Sequence, residues 1–119
     1  MLRVALVLAV TTALAIASGA QAAAPVPIKG ETGPGFSVEV KTAAGKDVKV
    51  LKAGTYKLVV QDRASIHNFR VKGPGLNKMV TSVPFVGTKT VIVTLRKGTY
   101  TYQCDPHAAS GMKGTFKVI

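Results

Sequence analysis

The sequence predicts an all-β domain, a sandwich or closed barrel, carried behind a short apolar leader. Three observations support this. Beyond residue 25 apolar and polar residues alternate in short runs, with little sign of a helical period. Gly, Pro, Asn and Asp interrupt those runs at the close spacing of turns in all-β domains. The first 22 residues are different in kind, almost uncharged and rich in Ala, Val and Leu.

The leader comes first. Arg3 is a minimal positive start, residues 4–17 form an apolar stretch, and Ala20-Gln21-Ala22 is a small-x-small cleavage site. This is the pattern of a secretory signal peptide, expected as a helix over part of residues 1–22 and removed after Ala22. The competing reading is an uncleaved anchor, because a span needs about 20 apolar residues. Its Thr pair and its Ala/Gly/Ser-rich end weaken that reading. No cysteine stands near the leader, so a lipoprotein anchor is excluded.

Residues 23–119 are expected to form one domain, with chain enough for a single core. Residues 25–35 (PVPIKGETGPG) read as a lead-in with at most a short strand. FSVEV (36–40) alternates; residues 43–47 turn; residues 48–51 are a short strand. TYKLVV (55–60) and IHNFRV (66–71) are strands, and Gly73-Pro74-Gly75 ends the second. Residues 76–88 read mostly as loop. TKTVIVTL (88–95), TYTYQC (99–104) and GTFKVI (114–119) complete the strands.

The charge is strongly basic, +11 with only 5 acidic residues. Nucleic-acid binders usually gather their cations into runs or onto one face. Here the longest run is Arg96-Lys97, and most lysines come singly as the polar members of alternating strands. No nucleic acid is therefore expected as a partner. The field still favours acidic partners by steering encounters.

One cysteine in an exported chain has nothing to pair with. Cys104 lies in YQCDPHAASGM (102–112), three residues before His107 and eight before Met112. Side chains two apart on a strand share a face. By that rule His67 shares a face with Phe69 and Val71, Cys104 with Tyr100 and Tyr102, and Met112 with Phe116 and Val118. His67, Cys104 and Met112 are then inward side chains at strand ends, with His107 on the loop between two of them. A thiolate, two imidazoles and a thioether suit copper; two His and one Cys with a weak axial Met make a blue-copper electron-transfer set. Each of these residues alone is more often ordinary packing. Thioether is a poor ligand for zinc, and no third residue orients a Cys–His nucleophile. Met79 is a further soft side chain, read as packing.

The stretch YTYQCDPHAASGMKGTFKV resembles the copper loop of plastocyanin and pseudoazurin-like cupredoxins, through Cys-x-Pro-His-x₄-Met and the strand that follows. HNF also matches, with Asn68 directly after the first histidine. The resemblance implies an eight-stranded Greek-key β-sandwich, one type 1 copper, and an Asn68 side chain that ties the His67 segment to the loop. Asp105 departs from the family, which more often has a small hydroxyl residue there. Its carboxylate is expected to stabilise Cu(II) and lower the reduction potential.

The expected function is that of a small exported electron carrier, periplasmic or extracytoplasmic, and not an enzyme. His67, Cys104, His107 and Met112 hold the copper. The mature form is expected to be a monomer without a membrane span that meets acidic redox proteins, of cytochrome or oxidase type, in transient contacts. Electrons would leave through His107, ringed by Pro106, Ala108, Ala109 and, more loosely, Leu76 and Phe85. The alternative is a copper carrier or buffer that delivers the ion to a cuproenzyme.

Overall fold

The computed structural model describes residues 9–15 and 24–119. Residues 9–15 are exposed and have no regular secondary structure, where a signal helix was expected. The rest of the signal segment and its cleavage site lie outside the described residues.

The domain has nine strands among the described residues: β1 (Val26–Thr32), β2 (Val38–Thr42), β3 (Val50–Leu51), β4 (Gly54–Asp62), β5 (Phe69–Gly73), β6 (Leu76–Thr81), β7 (Gly87–Leu95), β8 (Gly98–Gln103) and β9 (Lys113–Val118). They form two sheets, β2-β1-β4-β7 and β3-β9-β8-β5-β6. The β1–β4 and β3–β9 pairs are parallel and the others antiparallel. β6 hands the chain to β7 in the other sheet, and β8 returns beside β5, which is the Greek-key connection. The count exceeds the expected eight by one.

Three segments differ from the sequence reading. The strand expected over residues 66–71 begins only at Phe69, which leaves Ile66, His67 and Asn68 ahead of it. β1 is a full seven-residue strand, because it lies between β2 and β4 and bonds to both. Pro27 is tolerated there because β2 begins pairing only at Ile28, so no second neighbour asks Pro27 for an N–H. Residues 76–81 are β6, not loop. Gly73-Pro74-Gly75-Leu76 reverses the chain, with Gly75 at φ 68°. Pro followed by a glycine at positive φ is the composition of a tight type II turn.

The inward faces meet in one core that includes Ile28, Val40, Leu58, Val60, Phe69, Val71, Val93, Leu95, Tyr100 and Phe116. Tyr100 and Phe116 stack at 5.5 Å. The buried Tyr100 hydroxyl donates to the Pro74 carbonyl at 2.7 Å and accepts the Arg96 N–H at 2.9 Å, so its polar tip is satisfied. Register then sets up one pole of the sandwich. Arg70 of β5 faces Gln103 of β8, and Gln103 faces Lys113 of β9. Cys104 and Met112 are the residues just outside that row, and His67 lies three residues before Arg70, at the same end of the three neighbouring strands.

Candidate metal centre

Cys104 leaves β8 in extended conformation, and a 3₁₀ turn follows over Asp105–Ser110, with Pro106 in its first turn. Proline suits that place, since the N–H it lacks would have no partner there. Gly111 closes the turn at φ 97°, a left-handed conformation that favours glycine. The loop is bonded to itself: His107 N–H donates to the Cys104 carbonyl at 3.2 Å, Met112 N–H to the His107 carbonyl at 3.2 Å, and Cys104 N–H to the Met112 carbonyl at 3.1 Å. Cys104 and Met112 are buried and His107 half-buried.

His67 precedes β5 and is fully buried. Its Nδ1 stands 3.1 Å from Nδ1 of His107 and 3.6 Å from Sγ of Cys104; Sγ is 3.4 Å from the His107 Nδ1. All three donor atoms lie within 4.8 Å of one another. Two imidazole nitrogens and a sulfur facing each other this closely present converging lone pairs to a single point. That donor set is intermediate in softness and fits copper.

The surroundings hold these side chains in place. Asn68 accepts the Asp105 N–H at Oδ1 (2.6 Å) and donates from Nδ2 to the Asp105 carboxylate (2.9 Å). This is the expected tie between the His67 segment and the loop. The Asp105 carboxylate also receives Arg70 Nε at 2.9 and 3.0 Å and Gln103 Nε2 at 2.9 Å, and Arg70 Nη1 donates to Asn77 at 3.0 Å. Burial would raise the Asp105 pKa. The hydrogen bonds from Gln103, Asn68 and Arg70, with the Arg70 charge, outweigh it and hold the carboxyl below its ordinary value.

The contacts of His107 differ from the sequence reading. The aromatic ring beside it is Phe36, edge-on at 5.0 Å and also 5.3 Å from His67. Phe36 precedes β2 and is 70% exposed. Leu76 opens β6 at the far end of β5 and packs on the core, away from the histidines. Phe85 lies under the Lys89 ammonium at 4.5 Å. Gly33, at φ +74°, brings the chain after β1 against the His67 ring, where a Cβ would stand 3.0 Å from Cδ2. The Gly/Pro-rich stretch before Phe36 was the available sign that this chain end bends over the pole.

Residues 36–119 match the family of copper binding proteins of the plastocyanin/azurin type. This chain belongs to that family. It is a cupredoxin, and the His-Cys-His cluster is the heart of its type 1 copper site. Among solved structures it is similar to rusticyanin from Thiobacillus ferrooxidans, at 26% identity over 82% of this chain and 79% of that one, with a TM-score of 0.55. Another rusticyanin structure, described as a copper protein, aligns at 24% identity over 82% and 80% of the two chains, with a TM-score of 0.57. A multi-copper oxidase from Pediococcus acidilactici shares the fold at 16% identity and a TM-score of 0.53; the alignment covers 91% of this cupredoxin but 29% of the oxidase. No curated protein matches the sequence.

Proposed function

We propose that this cupredoxin is an exported blue-copper electron carrier. The supporting observation is the convergence of His67 Nδ1, His107 Nδ1 and Cys104 Sγ within hydrogen-bonding distances of each other. Met112, buried just before β9 and bonded through its carbonyl to the Cys104 N–H, would be the fourth ligand and supply a soft thioether donor. Copper bound there would cycle between Cu(I) and Cu(II), taking and giving single electrons. The protein supplies a site that needs little rearrangement: the loop is bonded to itself, and Asn68 and Asp105 clamp it to β5 and β8.

His107 is the one ligand of the three that is not fully buried, so its edge is the exit for electrons. The exposed Pro106, Ala109 and Phe36 around it form a small apolar surface suited to brief contacts. The partners are acidic redox proteins, drawn by the basic surface. The chain has no catalytic task of its own. Residues 1–22 act as the export signal, and the mature domain works as a monomer outside the cytoplasm; no described helix is long and apolar enough to cross a membrane. Delivery of the ion gains nothing from Met79, which is exposed in β6 opposite Arg70.

The test is a visible spectrum of the purified copper-loaded protein. An intense blue band that bleaches on one-electron reduction and survives a chelator is the expected result. A sample that stays colourless with Cu(II) present, or that surrenders its copper readily, overturns the reading.

A further inference from the structure

The five carboxylates of the chain are Glu31, Glu39, Asp47, Asp62 and Asp105. Four of them belong to the four-stranded sheet and its margin, and three of these are paired. Glu31 takes Arg63 at 3.0 Å, and Lys41 reaches Glu39 at 3.4 Å and Asp47 at 4.0 Å. Asp62 is buried. Asp105 is held by Arg70. No unpaired acid is left for the outer face of the five-stranded sheet.

That outer face carries cations in register. Lys113 and Lys117 project from β9, where the buried residues are Phe116 and Val118. Lys72 projects from β5, between the buried Val71 and the turn. Lys72 pairs with Thr101 and Lys117 with Thr99 across the sheet, and Thr115 faces Thr101. None of the three lysines pairs with a carboxylate among the described residues. Strand geometry sets Lys113 and Lys117 about 13 Å apart and Lys72 about 10 Å from β9. Short threonines fill the space between, so the ammonium groups stand proud of a flat surface. The patch also borders the metal centre. Lys113 follows Met112, and its cross-strand partner Gln103 precedes Cys104.

From this we infer that the outer face of the five-stranded sheet is a docking surface for an acidic protein partner, separate from the His107 pole and adjacent to the cysteine side of the site. The inference rests on the electron-carrier reading for the nature of the partner. The opposite sheet has its own lysines, of which Lys29 and Lys57 pair with no carboxylate among the described residues, but Glu31, Glu39 and Asp47 stand on that sheet and its margin and lower its net charge. Spacings near the Debye length of about 8 Å make the three cations act together only on a surface in contact, and make that contact salt-sensitive.

The experiment compares two double variants of the copper-loaded protein with equal change in net charge. Lys72→Glu/Lys117→Glu alters the proposed face. Lys29→Glu/Lys57→Glu alters the outer face of the four-stranded sheet. The probe is a carboxylate-terminated monolayer on gold, with adsorption read by mass and electron transfer by voltammetry. The first variant should lose about tenfold or more in adsorption at low salt, and the second only about twofold. Equal losses, or a larger loss in the second variant, overturn the docking face and leave only a net-charge effect. Retention of duplex DNA by the wild type at physiological salt, lost in the first variant, also overturns it by giving the face to a nucleic acid. If adsorption differs as expected but the wild type passes no current, the docking face stands and the electron-carrier reading fails.

Discussion

The Asp105 carboxylate was expected to stabilise Cu(II) and lower the reduction potential. The structure pairs it with Arg70 at 2.9 Å and surrounds it with Asn68 and Gln103. Two predictions follow at this position, with opposite signs. Asp105→Ser removes the anion and leaves Arg70 unpaired, so Cu(II) is less favoured and the midpoint rises. Arg70→Gln leaves the carboxylate unneutralised, so the midpoint falls. For charges several ångström from the metal at an effective dielectric of ~20, each change is on the order of 1–2 kcal/mol, roughly 50–100 mV for one electron. The double variant should lie nearer the wild type than either single one. Voltammetry of the four proteins checks this; a midpoint in Arg70→Gln that is unchanged or raised removes the idea. Phe36 calls for a different test. It is 70% exposed, so Phe36→Ala should cost under about 1 kcal/mol in stability. It also stands T-shaped against both imidazole rings. Copper loss to a chelator should quicken several-fold while the melting temperature barely moves; unchanged loss would show that the ring shields nothing. His67, Cys104 and His107 were legible because each carries scarce chemistry, at or beside a strand end or on the loop between two strands. Phe36 and Arg70 were not: an exposed phenylalanine and a strand arginine look ordinary until the topology places one over the histidines and the other beside Asp105.

At the scale of elements, strand phase was the readable quantity. The inward sets Phe69/Val71 and Phe116/Val118 follow the alternation, and all four residues are buried. What alternation could not show was pairing. β1 is a long strand because β2 and β4 flank it, and β6 forms because Pro74-Gly75 turns the chain back onto β5. Neither fact is local to the residues concerned. Gly30 shows how closely β1 is drawn in. A Cβ there would stand 2.8 Å from Cζ of Phe69 and 3.1 Å from Cγ2 of Val60. Both neighbours are fully buried and have no room to swing aside. Gly30→Ala should therefore destabilise by about 1–3 kcal/mol. At about 4–8 °C per kcal/mol for a domain of this size, the melting temperature should fall visibly. Phe69 lies two residues past His67, so the same variant should also weaken the blue band. A melting temperature equal to the wild type would mean that β1 sits further from β5 than the structure places it.

At the scale of the molecule, the core and the metal centre divide the work of stability. No disulfide is available, since Cys104 is the single cysteine. The core runs through both sheets and includes none of His67, Cys104, His107 or Met112. The metal-free protein should therefore fold on its own, unlike small domains whose only stabiliser is a bound ion. Copper binds the folded state, in which the three donor atoms already converge, and so raises its stability by mass action. At free copper about a thousandfold above Kd the gain is about 4 kcal/mol. By the same scaling the melting temperature should rise on the order of 15 °C or more. Calorimetry with and without copper measures the shift. Cys104→Ser replaces the strongest donor with a weak one of similar size, so it should keep the metal-free melting temperature within a few degrees and lose most of the copper-dependent rise. A full rise in that variant would place the ion elsewhere, on ligands other than this cluster. A metal-free protein that is unfolded would mean that the sheets depend on the ion to stay together, which the separation of core from site argues against.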